Sequence, residues 1–390
     1  MVPIPKGGSH LKSIIEAALN RYEERGGEDA PTAEGVISDD DAELEKILQG
    51  LTLTIKVVGC GGGGSNTISR LMEEGIRGAE LVACNTDAVH LKGVHSNRKI
   101  LLGLNTTRGL GAGGEPSIGR KSAEEARDQL EHVIAKSDIV FVTCGLGGGT
   151  GTGSAPMVAE MAKEHGALVV VFTTKPFRAE GPAREEAAVW GLNRLVNVAD
   201  TVVTIPNDKL LEINPKMPLN AAFHVVDELL MNSIKGIIEM VTKPGLVNID
   251  YNDLRTIMDG MGMAVVGIGT DDSDERRAEK AVGKALDSPL LAYDIGNAKG
   301  ALIKVTGGPD MTLQEAETVA EEIMKRGNPG TRIIWGAAVD PEWEGKINVM
   351  MVITGVDSPD ISGREAARAR VGAGGTWARD GGTEGFDSVR

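Results

Sequence analysis

Two runs of glycine, each wedged between an apolar stretch and a helical one, constrain this chain more than any other feature. The first is Gly59-Cys60-Gly61-Gly62-Gly63-Gly64-Ser65-Asn66, following the apolar run 51–58. The second is Gly145-Leu146-Gly147-Gly148-Gly149-Thr150-Gly151-Thr152-Gly153-Ser154-Ala155-Pro156, following 139–143. A glycine turn lets backbone N–H groups approach a phosphate closely, and the helix that follows adds free N–H donors and a positive dipole end. Two such loops at the carboxyl ends of strands in one sheet point into one crevice. One loop can wrap sugar and α-phosphate while the other cradles the β- and γ-phosphates. Gly59, Gly61 and Gly64 also satisfy G-x-G-x-x-G with Asp87 about twenty residues on, so a dinucleotide-dependent enzyme is the alternative reading. Such an enzyme has no use for the second loop. No G-x-x-x-x-G-K-[ST] occurs at either place, which excludes a P-loop, and no G-x-S-x-G elbow marks an α/β-hydrolase.

Around the loops, strand and helix patterns alternate. Short apolar runs at 81–85, 139–143 and 168–172 read as strands buried on both faces, with helices at 66–74, 116–135 and 155–164. This predicts an α/β fold: a parallel-sheet, Rossmann-like domain over 51–219. A long helix at 220–243 places Phe223, Val226, Leu230, Ile234, Ile237 and Val241 on one stripe and ends at Lys243-Pro244-Gly245. Beyond it, strands at 301–306, 331–338 and 346–355 and helices at 275–286 and 312–325 predict a smaller α+β domain over 244–356.

Composition limits the partners. The formal net charge is −15, against sequence-independent binding to nucleic acid or anionic lipid. No apolar run approaches the roughly 18 residues of a membrane span, and no signal-peptide pattern is present, so a cytoplasmic protein without direct membrane insertion is expected. Residues 1–50 hold eleven acids and five bases, with one amphipathic stretch at 11–22 suited to docking on protein. The segment 357–390, rich in Gly, Arg and Ser/Thr, reads as a flexible tail in which Trp377 and Phe386 stand alone. Cys60, Cys84 and Cys144 each fall near the end of a strand and read as buried small residues rather than a zinc site. The six histidines show no ligand or triad spacing and are assigned no chemistry.

The run GGGTGTG at 147–153 resembles the signature of the tubulin/FtsZ superfamily. Asn85-Thr86-Asp87, Gly109-Leu110-Gly111-Ala112-Gly113, Thr174-Lys175-Pro176-Phe177, Ile205-Pro206-Asn207-Asp208-Lys209-Leu210-Leu211 and Pro244-Gly245-Leu246-Val247-Asn248-Ile249-Asp250 resemble, in order, the motifs of the FtsZ family. The resemblance implies a GTP-binding, GTP-hydrolysing protein that polymerises head to tail and forms the cytokinetic ring, with GTP/GDP and Mg2+ as cofactors. Gly62, Gly63, Gly64, Ser65 and Asn66 match the first nucleotide loop. Asp87 belongs with them, and Gly147, Gly148, Gly149, Thr150, Gly151 and Thr152 match the phosphate signature. Ala112 and Gly113 match the loop that senses the γ-phosphate, and Glu180 and Arg184 the ribose contacts. Phe223 matches the ring that stacks on guanine and Asp227 the carboxylate that accepts from its N1–H and N2–H, although bacterial members often carry Asn-Asp where this chain has Asp227-Glu228. No metal ligand is assigned; Mg2+ travels with the phosphates.

Asn248, Asp250 and Asp253 are the catalytic candidates. Spacing alone favours helix capping for the two acids, which lie three apart on a helical first turn. The resemblance implies instead the loop that completes the next subunit's site, so that hydrolysis occurs in trans. It also implies a membrane-adaptor protein that engages the tail and places the polymer at the division site. The ending Gly-Gly-Thr-Glu-Gly-Phe-Asp-Ser-Val-Arg departs from the bacterial tail peptide and points to an archaeal member.

Overall fold

The structure, a computed structural model, describes residues 53–356 except 214, 244, 248, 274, 292–297 and 327–329. The acidic extension with its 11–22 stretch, the tail with Trp377 and Phe386, and Asn248 lie outside the described residues. The first half runs β1 (Ile55–Cys60), α1 (Gly61–Glu73), β2 (Ala79–Asn85), α2 (Ala88–Gly93), β3 (Arg98–Leu101), α3 (Pro116–Glu125), α4 (Arg127–Ile134), β4 (Ile139–Gly145), α5 (Gly149–Glu164), β5 (Leu168–Lys175), α6 (Pro182–Val198), β6 (Thr201–Pro206) and α7 (Asp208–Ile213). The long helix α8 (Leu219–Thr242) follows, then α9 (Tyr251–Met258), β7 (Gly262–Asp271), α10 (Arg277–Leu286), β8 (Gly300–Gly307), α11 (Leu313–Arg326), β9 (Arg332–Val339) and β10 (Ile347–Thr354).

Among the described residues ten strands join one sheet in the order β3-β2-β1-β4-β5-β6-β7-β10-β8-β9. It is parallel from β3 to β7, and β10 runs antiparallel to both its neighbours. The central strands β1, β4 and β5 are buried on both faces, which is why they read as unbroken apolar runs, whereas the edge strands β3 and β9 are partly exposed. Alternate residues serve opposite cores: Val58 and Cys60 pack under α3 to α6, whereas Ile55 and Val57 pack under α1 and α8. The halves meet along a short seam, Thr201–Val203 of β6 against Gly262–Ala264 of β7. Asp200 closes that seam: its carboxylate accepts from Val169 N–H at 2.9 Å and Gly260 N–H at 3.3 Å and pairs with Lys163.

Helix α6 and strands β3 and β6 have no counterpart in the sequence expectation, and three expected helices differ from it. The 116–135 helix is broken at Ala126 into α3 and α4. Helices α1 and α5 begin at Gly61 and Gly149, inside the glycine runs, five and six residues before the expected starts at 66 and 155. Glycine is a poor helix former, so propensity puts the start too late. Tertiary approach overrides it. A Cβ on Gly64 would lie 2.3 Å from Thr143 O, and one on Gly153 would lie 2.1 Å from Pro116 O. A Cβ on Gly61 would lie 2.7 Å from Gly151 N, so the first turns of α1, α3 and α5 can converge only if the chain there has no side chains. Gly62 and Gly148 differ, since a Cβ on either meets nothing within 4 Å. Gly64→Ala should destabilise the protein by about 2–4 kcal/mol, as overpacking of a rigid contact does. Gly62→Ala should leave stability unchanged or raise it by up to about 1 kcal/mol. Thermal unfolding of the two variants checks this sorting.

Candidate functional site

The order β3-β2-β1-β4-β5-β6 reverses direction between β1 and β4, and the two glycine runs leave the carboxyl ends of those two strands. Ligands of open parallel sheets bind at such a switch point. Gly62, Gly63, Gly64 and Ser65 form the first turn of α1, with Asn66 after them; Gly148 caps α5, and Gly149, Thr150, Gly151 and Thr152 form its first turn. Gly147 takes φ 94°, and its N–H donates to the Thr152 hydroxyl at 2.9 Å, so Thr152 shapes the loop from within. Thr150 Oγ1 lies 2.6 Å from Thr86 Oγ1, tying the second loop to the end of β2. Ser65 and Thr143 hydroxyls are buried beside the loops without a protein partner.

The remaining candidates gather at the same edge. Asp87 caps α2, accepting from His90 N–H at 2.9 Å, so its carboxylate has a structural task. The loop holding Ala112 and Gly113 is pinned to the β2 end through Gly111 N–H donating to Thr86 O at 3.1 Å. Glu180 follows β5, where its carboxylate accepts from Phe177 N–H at 2.9 Å and from Arg184. Phe223, on the first turns of α8, is 39% exposed and meets buried Phe177 edge-on at 5.2 Å, which leaves a ring face open to a planar ligand.

Asp227, one turn further along α8, is the group whose chemistry is most altered. Burial pushes its carboxyl up to about 6, while Arg70, with Nε 3.7 Å from Oδ2, pulls the other way. Arg70 also holds Glu228 at 2.5 Å and contacts His224, so one guanidinium of α1 organises this whole turn of α8. The motifs did not reveal Arg70. The signal was its position four residues after Asn66, on the same face of α1. Asn207, at the carboxyl end of β6, is a second addition: it is buried with its side-chain oxygen unpartnered.

The catalytic candidates lie elsewhere. Asp250 caps α9, its Oδ1 accepting from Asp253 N–H at 2.7 Å. The hydroxyl of the adjoining Tyr251 donates to Asp138 O at 3.3 Å, just before β4 begins. The second glycine loop leaves the other end of that strand. Seven residues of β4 span roughly 20 Å at about 3.3 Å each, so Asp250 and the crevice sit at opposite edges of the sheet.

Cys60 lies in register with both Cys84 and Cys144 beneath the loops. All three are fully buried, and burial pushes the Cys60 thiol up to about 12. Among the described residues no group of His, Cys, Asp and Glu converges to hold a metal ion, and no helix is long and apolar enough to cross a membrane.

Sheet order, twin glycine loops and a remote acid pair define a tubulin-like nucleotide-binding fold that dispenses with a P-loop. Residues 54–215 match the Tubulin/FtsZ family, GTPase domain, and residues 262–357 match the FtsZ family, C-terminal domain. The chain belongs to the FtsZ family and is a GTPase of the tubulin type. It is 52% identical over 356 residues to cell division protein FtsZ 1 of Archaeoglobus fulgidus, covering 91% of this chain and 96% of that one. It is 49% identical over 350 residues to cell division protein FtsZ of Methanothermobacter thermautotrophicus, covering 90% and 91%. The solved FtsZ dimer of M. jannaschii superposes with a TM-score of 0.78 at 52% identity, over 82% of this chain and 92% of that one. Membership removes the dinucleotide-enzyme alternative.

The folded chain holds the Asp227 proton more tightly than the unfolded chain does, so stability falls as pH rises from about 4 to about 6. In nucleotide-free protein at pH 7, Asp227→Asn should therefore raise the unfolding free energy by about 2–3 kcal/mol. Denaturant titrations at pH 7 and pH 4 check this; the two proteins should converge at the lower pH.

Proposed function

We propose that the crevice binds GTP and that hydrolysis is completed by Asp250, Asp253 and Asn248 of the next subunit in a head-to-tail filament. The observation that carries the trans step is the placement of Tyr251 and the glycine loop at opposite ends of β4. An acid pair roughly 20 Å from the crevice of its own subunit cannot orient a water there. A copy stacked end to end can present it.

The chain's own groups divide the work. The N-terminal turns of α1 and α5 supply backbone donors and positive dipole ends to the phosphates, with Gly62, Gly63 and Gly148 leaving room for direct approach. Gly113 and Ala112 lie against the terminal phosphate. Glu180 and Arg184 hold the ribose, Phe223 stacks on the base, and Asp227 accepts from guanine N1–H and N2–H. Leaving those donors unpaired costs about 1–3 kcal/mol each, which selects guanine over adenine. Mg2+, when bound with the nucleotide, would neutralise part of the phosphate charge, and the nucleotide phosphates themselves would carry it, as is usual for that ion. The partner's acids then orient and polarise the attacking water, its oxygen bonds to the γ-phosphorus, and the β–γ bridge breaks to give GDP and phosphate. Loss of the γ-phosphate removes part of what joins the two subunits. In cells the filament builds the cytokinetic ring, and an adaptor attaches it to the membrane through the tail around Phe386.

Specific phosphate release should be near zero in dilute protein and rise to a plateau above a critical concentration. Asp250→Ala should abolish turnover and leave GTP affinity within about twofold of the parent, since the residue lies outside its own crevice. A specific rate independent of concentration contradicts the trans mechanism, and loss of GTP binding in Asp250→Ala contradicts the site assignment.

A further inference from the structure

The hydrogen bonds around His90 admit one consistent assignment. The backbone N–H of Asp87 can only donate, and it faces Asn85 Oδ1 at 3.3 Å. The Asn85 amide therefore turns its Nδ2 toward His90 Nδ1, 3.2 Å away. A ring nitrogen that receives a donor carries the lone pair, so the proton of the neutral imidazole sits on Nε2. Nε2 lies 3.2 Å from Asn66 Oδ1 and donates to it. The series starts at a buried residue, since Asn85 is only 3% exposed. It ends at an exposed one on α1, directly after the glycine run. The ring itself is carried on α2, whose first turn is fixed by the Asp87 cap.

The consequence falls on Asn66. An unrestrained asparagine amide can present oxygen or nitrogen with little difference in energy. Here the oxygen is engaged by His90, and among the described residues no acceptor is found for the two Nδ2 protons. A guanine nucleotide offers oxygens that accept and cannot donate, those of its phosphates and guanine O6. An amide turned the other way would set its carbonyl oxygen against them. We propose that His90 is a positioning residue: its imidazole locks the Asn66 amide so that Nδ2 donates to an oxygen of the bound nucleotide. The proposal rests on reading the crevice as the guanine-nucleotide site. It gives a task to a histidine whose sequence spacing indicates none.

The test is equilibrium titration of the full chain with GDP, paired with steady-state hydrolysis of GTP. His90→Leu should weaken GDP binding and raise KM about fivefold, the worth of one neutral hydrogen bond, while kcat at saturating GTP stays within about twofold. His90→Gln keeps a terminal N–H donor and should restore affinity to within about twofold of the parent. Asn66→Ala combined with His90→Leu should bind no more weakly than Asn66→Ala alone, because the two losses share one cause. Parental affinity in His90→Leu overturns the proposal. So does a Gln variant as weak as the Leu variant, which would mean that only the shape of the ring matters, and so do losses that add in the double variant. Failure of the site reading shows differently: Gly148→Asp, which sets a carboxylate in the crevice, would then bind GDP as well as the parent.

Discussion

The rest of the molecule depends on how closely the backbone of α5 passes those of α1 and α3. At Gly61, against Gly151, and at Gly153, against Pro116, the available space is smaller than a methyl group, and this lets three helix N-termini meet above the β1–β4 switch point. Convergence concentrates unpaired N–H groups and positive dipole ends in one place, so a polyanion can be held with no lysine in the loop. It also explains a conflict between levels. Glycine lowers helix propensity by about 1 kcal/mol per residue, yet both helices begin in glycine, because close approach is worth more here than local preference.

A second constraint is the length of the sheet. The strands carry the nucleotide groups to their carboxyl ends, while α9 is tied to the amino end through Tyr251 and through Met258 O, which accepts from Thr201. Among the described residues nothing within one subunit brings these ends together. The half-buried Lys304–Glu239 pair at 2.6 Å fixes α8 to β8, and the short β6–β7 seam with the Asp200 clamp joins the two halves of the sheet. The distance between the ends is thus built into the fold, and in the proposed mechanism it makes assembly a condition for chemistry.

Much of this was legible in the sequence, for identifiable reasons. Strands buried on both faces announce themselves as apolar runs, and the glycine loops mark the crevice because few other structures need so many small residues together. Helix starts were misplaced where tertiary contact overrode propensity, and the break at Ala126 left no trace in apolar periodicity. Phe223 and Asp227 were reached through family motifs, since on a helix they look like any core and surface pair. Arg70 and His90 escaped because each acts across elements: Arg70 reaches α8 from α1, and His90 joins α1 to β2. No one-dimensional spacing encodes such pairs.

The split site is tested most directly by mixing two variants that are each disabled at a different end. Gly148→Asp should remove nucleotide binding and keep the acids of α9, whereas Asp250→Ala should keep the crevice and remove the acid proposed to serve its neighbour. Phosphate release is measured for each alone and for the mixture, above the concentration at which the parent is active. Hydrolysis restored in the mixture, with neither variant active by itself, is the predicted result. A mixture no more active than its components, when both are present in the same filaments, would contradict it.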